Sequence, residues 1–564
     1  MGSTDLSGRT VLQQAVAGER RDVVVGAALG AGHQAGEALV PVLIGVVIDR
    51  GVARGDGSGL LIGLAALGLV YTALSVGFRF GARAGERAAE TAAHRLRTRL
   101  VGRILAPEGG ADRGRLSGEL TNIATQDAKR VGAVTMALII GIWALIGLLV
   151  AAVVLLRISL PLGLLVLLGT PLLLWAGHLV SKPLERRSEA EQERAAHASG
   201  VAADIVAGLR VLKGIGAEPA AVARYRGTSR DSLTATLRAA RAHAWQNGIV
   251  LTLTGAFIAL VALIGGRLAI RGDISLGELV SAVGLALFLL GPLSEISWVN
   301  AELAQARASA GRIAAVLAAD HAVLPGSGTP RHPVEGRIRL RSVGYGTLRD
   351  VDLRIEPGTV LGVVATDPAD ARALLGCLGR HADPDSGAVE LDATPLTDLD
   401  PAAVRGAILV AEHDADLFEG TLTGNVRAAA PPGADIGPAL AASGADDVAD
   451  ALPQGADTPV TERGRSLSGG QRQRVALARA LAADAPVLVV HDPATAVDAV
   501  TEARIATGVR DIRRGRTTIM VTTSPALLAV ADRVVLIENG RVAADATHAE
   551  LVRDRVGYRT AVLS

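Results

Sequence analysis

Aromatic residues are scarce in this chain, at 2% of the sequence, so its apolar content (49% of 564 residues) rests on Ala, Val, Leu and Ile. Cysteine is all but missing. Cys377 alone excludes an internal disulfide framework and a Cys-rich metal site, and a small core filler is its plain reading. A surplus of charge is missing too. The 57 basic residues stand against 56 acidic ones, and that balance excludes a nucleic-acid binder, which needs positive charge to neutralise phosphates. Low-complexity tracts, short repeats, clean metal-ligand sets and the GxSxG and HExxH signatures are all absent from the sequence. What remains is a long chain of positive mean hydropathy, +0.36. It is long enough for two or three domains and apolar enough to put one of them in a bilayer.

The polar segment 1–21 precedes an apolar run behind Arg20 and Arg21. That run continues for a full span without a small-x-small cleavage site, so a retained first helix is expected rather than a signal peptide. Six stretches of membrane-crossing length are predicted, at 23–48, 60–80, 131–156, 160–180, 244–270 and 276–299. Short connectors at 49–59, 157–159 and 271–275 permit only tight turns on one side. The two long polar segments, 81–130 and 181–243, are rich in Ala, Arg and Glu and poor in Pro, which predicts helical rods continuing the spans. Their arginines, from Arg83 to Arg115 in the first and with Lys182, Arg186 and Arg187 opening the second, place both rods and both termini in the cytoplasm of an integral plasma-membrane protein.

The character changes near residue 317, where a Pro- and Gly-bearing linker (317–335) follows a membrane domain at 22–316. From 336 to 564 short β-rich runs (360–365, 407–411, 487–490, 517–522, 533–538) alternate with helical patterns. The fold class is therefore multi-domain: an all-α polytopic membrane domain plus an α/β domain with a largely parallel sheet.

The most specific string is Ser466-Leu467-Ser468-Gly469-Gly470-Gln471-Arg472-Gln473-Arg474, ahead of a helix and a hydrophobic strand ending in Asp492-Pro493. A Ser-Gly-Gly turn opening a helix aims a hydroxyl and backbone N–H groups at one point, where the helix dipole adds roughly half a positive charge. Such a turn suits the terminal phosphate of a nucleotide presented by another surface; its other reading is a helix cap and core element. With these residues on the page, 336–564 resembles the nucleotide-binding domain of ABC transporters, and the membrane half resembles the exporter type. Arg115 to Leu120 resembles the first coupling segment, Gly208 to Lys213 the region of the second, and Thr461-Glu462-Arg463-Gly464 the loop that touches them.

The resemblance also exposes departures. The family's GxxxxGK[ST] loop cradles phosphates with backbone amides, a lysine and a Mg²⁺-binding hydroxyl. Here the run from Ala365 to Ala373 puts Asp370 at the second glycine, Ala371 at the lysine and Arg372 at the hydroxyl, with Pro368 deleting one amide. Asp370 is expected to repel a polyphosphate by about 4 kcal/mol per unit charge at 4 Å and an effective dielectric near 20. His491 stands at the metal-organising aspartate, Asp492 at the catalytic glutamate, Glu412 at the glutamine and Thr523 at the histidine, while Tyr345 is the aromatic available to stack on adenine. Ser468, Gly469, Gly470, Gln471 and the aspartate Asp498 of the following loop match the family. In ABC dimers each ATP lies between one subunit's phosphate loop and the other's signature. The resemblance therefore implies a heterodimer in which a second half-transporter with intact Walker motifs holds ATP and Mg²⁺, and this chain supplies the signature. A catalytically silent homodimeric sensor is the competing function, and import rather than export the competing direction. Within the membrane, Glu37, Glu295 and Asn300 are candidate cavity residues for an unidentified substrate, or members of interhelical hydrogen bonds.

Overall fold

A computed structural model describes residues 6–413 and 416–563; the side chains of 180–187 and 189, with Lys182, Arg186 and Arg187 among them, lie outside the described set. Contacts divide the chain into two compact units, Met1–Leu100 with Ser117–Ala318, and Val101–Leu116 with Ala319–Ser564.

The first unit is helical: α1 (Gly8–Gly18), α2 (Arg20–Val47), α3 (Gly57–Ile104), α4 (Ser117–Asn122), α5 (Ala128–Ile158), α6 (Leu160–Ala207), α7 (Leu209–Gly214), α8 (Glu218–Ile270), α9 (Leu276–Phe288) and α10 (Leu290–Leu317). The polar segments do continue the spans as helix, giving rods of 48 residues in α3 and α6 and 53 in α8. Among the described residues five helices are long and apolar enough to cross a membrane, not the six expected. The first expected span, 23–48, is helical as α2 but is not one of the five. His33, Gln34 and Glu37, set among Gly30, Gly32 and Gly36, dilute its apolar content at mid-length.

Packing in this unit inverts the rule for soluble proteins. Large apolar side chains such as Leu61, Ile62 and Leu69 face outward, while Gly81, Ala84, Gly85, Ala88, Ala89, Ala92 and Ala93 form the buried face of α3. Small residues let helix backbones approach closely. At Gly30 a Cβ would lie 1.6 Å from Trp143, whose indole Nε1–H donates to the Gly26 carbonyl at 3.0 Å. Polar locks act at two further points. Asp49 accepts from the Gly277 amide (2.8 Å) and the Ser275 hydroxyl (2.5 Å), and buried Asp127 accepts from Arg312 (2.6 and 2.7 Å) and Ser309 (2.9 Å).

The second unit is α/β. Its strands are β1 (Ile338–Tyr345), β2 (Leu348–Ile355), β3 (Val360–Ala365), β4 (Ser386–Leu391), β5 (Thr394–Pro395), β6 (Ile408–Ala411), β7 (Gly420–Thr421), β8 (Pro459–Val460), β9 (Val487–His491), β10 (Thr517–Val521), β11 (Arg533–Glu538) and β12 (Arg541–Ala546). The helices are α11 (Pro368–Leu378), α12 (Pro401–Ala407), α13 (Leu422–Arg427), α14 (Gly437–Ser443), α15 (Ala445–Asp450), α16 (Gly469–Ala482), α17 (Ala499–Ile512), α18 (Pro525–Ala529), α19 (His548–Asp554) and α20 (Val556–Leu563). A six-stranded sheet in the order β12-β11-β3-β10-β9-β6 is parallel except at β12. A second, antiparallel sheet runs β2-β1-β4-β5. Residues of the parallel strands alternate between two cores, Val487 and Val489 toward α11 and the antiparallel sheet, Leu488 and Val490 toward α16 and α17. That is why these strands read as continuous apolar runs in the sequence. The segment Val101–Leu116 joins this unit through Arg103, which donates to the Ala319 carbonyl (2.7 Å), and Glu108, whose carbonyl accepts from the Ala322 amide (2.9 Å).

Candidate nucleotide site

In an open parallel sheet ligands bind beyond the carboxyl ends of the strands. Here β3, β10, β9 and β6 all end on one edge, and it carries Ala365, Thr523, His491 with Asp492, and Glu412. The sheet thus brings together residues more than 150 positions apart.

The connection from β3 to α11 is only Thr366-Asp367, because the helix begins at Pro368. Asp followed by Pro is itself a helix-start signal: the carboxylate caps and the ring presets φ at the first turn. Its consequence is that three amides of this segment are bonded inside the protein and a fourth is missing. Thr366 N–H donates to the Ile537 carbonyl (3.1 Å), Ala369 N–H to the Asp367 carboxylate (2.8 Å), and Asp370 N–H to the Asp367 carbonyl (3.0 Å), while Pro368 has no N–H. A phosphate cradle needs such donors free and converging.

Asp370 corrects an expectation. It is 1% exposed, and its Oδ2 accepts from the Gly540 amide at 3.0 Å, so it does not project into the phosphate space. It locks α11 to the β11–β12 turn instead. Ala371, at the lysine position, is buried, and Arg372 is exposed.

At the end of β9, Asp492 has φ 44° and donates its amide to the Val521 carbonyl (3.0 Å). Its Oδ2 lies 3.7 Å from His491 Nε2, while its Oδ1 is buried without a hydrogen-bond partner. The His413 ring, with Nδ1 3.3 Å from the Asp492 carbonyl oxygen, stands 6.1 Å from that of His491. Imidazoles therefore crowd the place where a carboxylate-bound metal and water would sit. Glu412 and Thr523 are exposed. Just behind, burial and then the Arg405 guanidinium hold His381 below the usual histidine range, although Glu412 acts in the opposite sense. Burial pushes the Cys377 thiol up to about 12, which makes it an inert core group.

The signature turn is built differently. Ser468 caps α16 in a reciprocal box: its Oγ accepts from the Gln471 amide (3.3 Å), and the Gln471 side chain accepts from the Ser468 amide (2.9 Å). Ser468 and Gly469 are exposed, and the amides of Gly469 and Gly470 occupy the first two helical positions, which lack an intrahelical acceptor. Gly470 is required for packing, since a Cβ there would lie 2.4 Å from the Ala496 carbonyl oxygen. Gln473 ties the helix to the same loop by donating to Thr495 Oγ1 and accepting from the Ala496 amide, both at 2.9 Å. Asp498 caps α17, and the Thr501 amide and hydroxyl hold its carboxyl below the usual range.

Other expected residues fall as follows. Tyr345 ends β1 with its ring over α11, 3.9 Å from where a Cβ at Gly376 would sit. Glu37 and Glu295 share one cavity, and Asn300 is not among its lining residues. The acceptors of the loop amides (Asp367, Ile537), the Gly540 amide bonded to Asp370 and the Gln473–Thr495 link went unread. Only the Asp-Pro pair announced itself in the sequence.

Comparison with known proteins agrees with this construction. The family description "ABC transporter transmembrane region" matches residues 23–293, and "ABC transporter" matches 348–495. An ATP-dependent lipid A-core flippase of Thiobacillus denitrificans is 30% identical over 400 residues, covering 69% of each chain. A multidrug efflux ATP-binding/permease protein of Mycobacterium tuberculosis is 31% identical over 436 residues, 76% of this chain but 36% of that longer relative. A lipid A-core flippase of Alkalilimnicola ehrlichii is 33% identical over 315 residues, 54% of this chain and 53% of its own. With a helical membrane unit and an α/β unit carrying Ser468 to Gln471 on one polypeptide, the chain belongs to the ABC transporters as a half-transporter of the exporter type.

Proposed function

We propose that this chain is the non-hydrolysing half of a heterodimeric, ATP-driven exporter in the plasma membrane, its α/β unit in the cytoplasm. The observation that carries the reading is the contrast between two turns. The amides of Thr366, Ala369 and Asp370 are bonded within the chain and Pro368 has none, whereas Ser468 and Gly469 are exposed and the Gly469 and Gly470 amides open a helix without intrahelical acceptors. A site of the second kind attracts an anion, and one of the first kind does not. A partner half bearing intact Walker motifs would bind ATP and Mg²⁺, and the nucleotide would supply the driving energy. This chain's residues would orient the terminal phosphate from the opposite side and close against it.

The capping box also serves α16 on its own account, which is all that a silent homodimeric sensor would require. Measuring ATPase activity with and without a co-expressed half that carries GxxxxGK[ST] and Asp-Glu separates the two functions. The heterodimer reading predicts negligible turnover for the lone chain and robust turnover for the pair. Equal, negligible activity in both preparations would favour the sensor. The relatives named above handle lipid A-core and multiple drugs, which places amphiphiles among the cargo classes to screen.

A further inference from the structure

The membrane unit holds a cavity of about 640 Å³ between α2, α3, α5 and α10, within the size range of small-molecule sites. Its wall is aromatic: Phe78, Trp143 and Trp298 line it, with the Phe78 ring 5.3 Å from the His33 ring and 6.3 Å from that of Trp143. Its polar lining includes two carboxylates. Glu37 and Glu295 both line it, and its lining includes no lysine or arginine.

One imidazole, His33, stands beside these carboxylates. His33 Nδ1 lies 2.9 Å from the Leu74 carbonyl oxygen, which can only accept, so the ring proton sits on Nδ1. The other ring nitrogen, Nε2, faces Glu37 Oε2 at 3.7 Å. Glu295 is less well served. Its Oε2 is buried with no hydrogen-bond partner. A carboxylate at membrane depth without a counter-ion is costly, and the cost falls when a cation arrives. Tryptophan faces are the best aromatic partners for a cation. Trp298 is 45% exposed and Phe78 51%, so both remain open to a ligand.

We propose that this cavity binds lipophilic organic cations, held by Glu37 and Glu295 against the faces of Phe78 and Trp298. The inference deepens the transporter reading by naming a cargo class and rests on that reading for its meaning. Binding itself requires neither nucleotide nor partner.

Tetraphenylphosphonium and tetraphenylborate have nearly the same shape and opposite charge. Saturable binding of each radiolabelled ion to the full chain in zwitterionic nanodiscs, corrected for empty discs, tests the proposal. The expected result is cation binding at least about tenfold tighter than anion binding. Glu295→Gln should weaken the cation about tenfold and Glu37→Gln by a smaller factor, with the anion unaffected or improved. Equal affinity for the two ions in the unmodified chain would overturn the proposal without recourse to any variant, as would undiminished cation affinity in a well-folded Glu295→Gln protein. The heterodimer reading is judged by ATPase activity, so either idea can fail alone.

Discussion

Asp370 shows how much one residue's direction matters. Its identity announces that the phosphate loop has drifted, but the bond to the Gly540 amide, 170 positions away, decides what it does. Removing that acceptor leaves a buried amide unpaired, a loss of about 1–3 kcal/mol, so Asp370→Ala should lower the stability of the α/β unit rather than open a nucleotide pocket. Restoring the lysine by Ala371→Lys should not create Mg-ATP binding either, since Ala371 is buried and the flanking amides stay occupied. Saturable nucleotide binding by that variant, measured by equilibrium dialysis, would contradict the account of the loop. Asp492 sits one methylene short of a glutamate and beside two imidazoles. On the proposed reading Asp492→Asn changes the turnover of the heterodimer by less than about twofold, as a coupled ATPase assay would record.

Among the elements, the signature helix and the phosphate-loop helix behave oppositely. α16 needs glycine at 470 because Ala496 backs directly onto it. Gly470→Ala should therefore displace the α16–Ala496 contact and abolish turnover of the heterodimer, whereas Ser468→Ala removes a cap and a phosphate-facing hydroxyl and should cost about 100-fold. Both are read in the same assay, with thermal stability as the control. The turn after α11 carries a pH dependence. His381 is held below its ordinary value near 6.5, so the folded protein binds its proton less readily than the unfolded chain. Its contribution to stability is complete above pH 6.5 and declines as the pH falls from there toward the depressed folded value. Cys377, buried and unreactive, reports the loss: labelling by a dipyridyl disulfide should accelerate on acidification in this window, and His381→Asn should blunt the effect.

The elements were unequally legible. The parallel strands were read within a residue because both of their faces are buried, which makes each a continuous apolar run. The antiparallel sheet was not foreseen: β1 and β2 alternate apolar residues with Arg339, Arg341 and Arg354, and bulges interrupt their register. The first membrane helix was anticipated from length, yet its glycine- and carboxylate-bearing middle sets it apart from the five apolar helices. In the site, the signature was legible because its function lies in a short local string. The closure of the phosphate loop was not, because its bonds reach Ile537 and Gly540 from another strand pair.

For the whole molecule the asymmetry of the two turns is the central claim. On the proposed reading, half of an ATP site is offered outward at Ser468 to Gly470, while α11 begins directly at Pro368 where a phosphate loop would run. The proposed heterodimer makes this chain draw its energy from a partner, so the decisive quantity is the number of Mg-ATP molecules held per polypeptide. Equilibrium binding of radiolabelled Mg-ATP, with hydrolysis arrested, should find none held tightly by the isolated chain in nanodiscs and about one per pair once the competent half is present. Tight, magnesium-dependent capture of ATP by the chain alone would contradict the account.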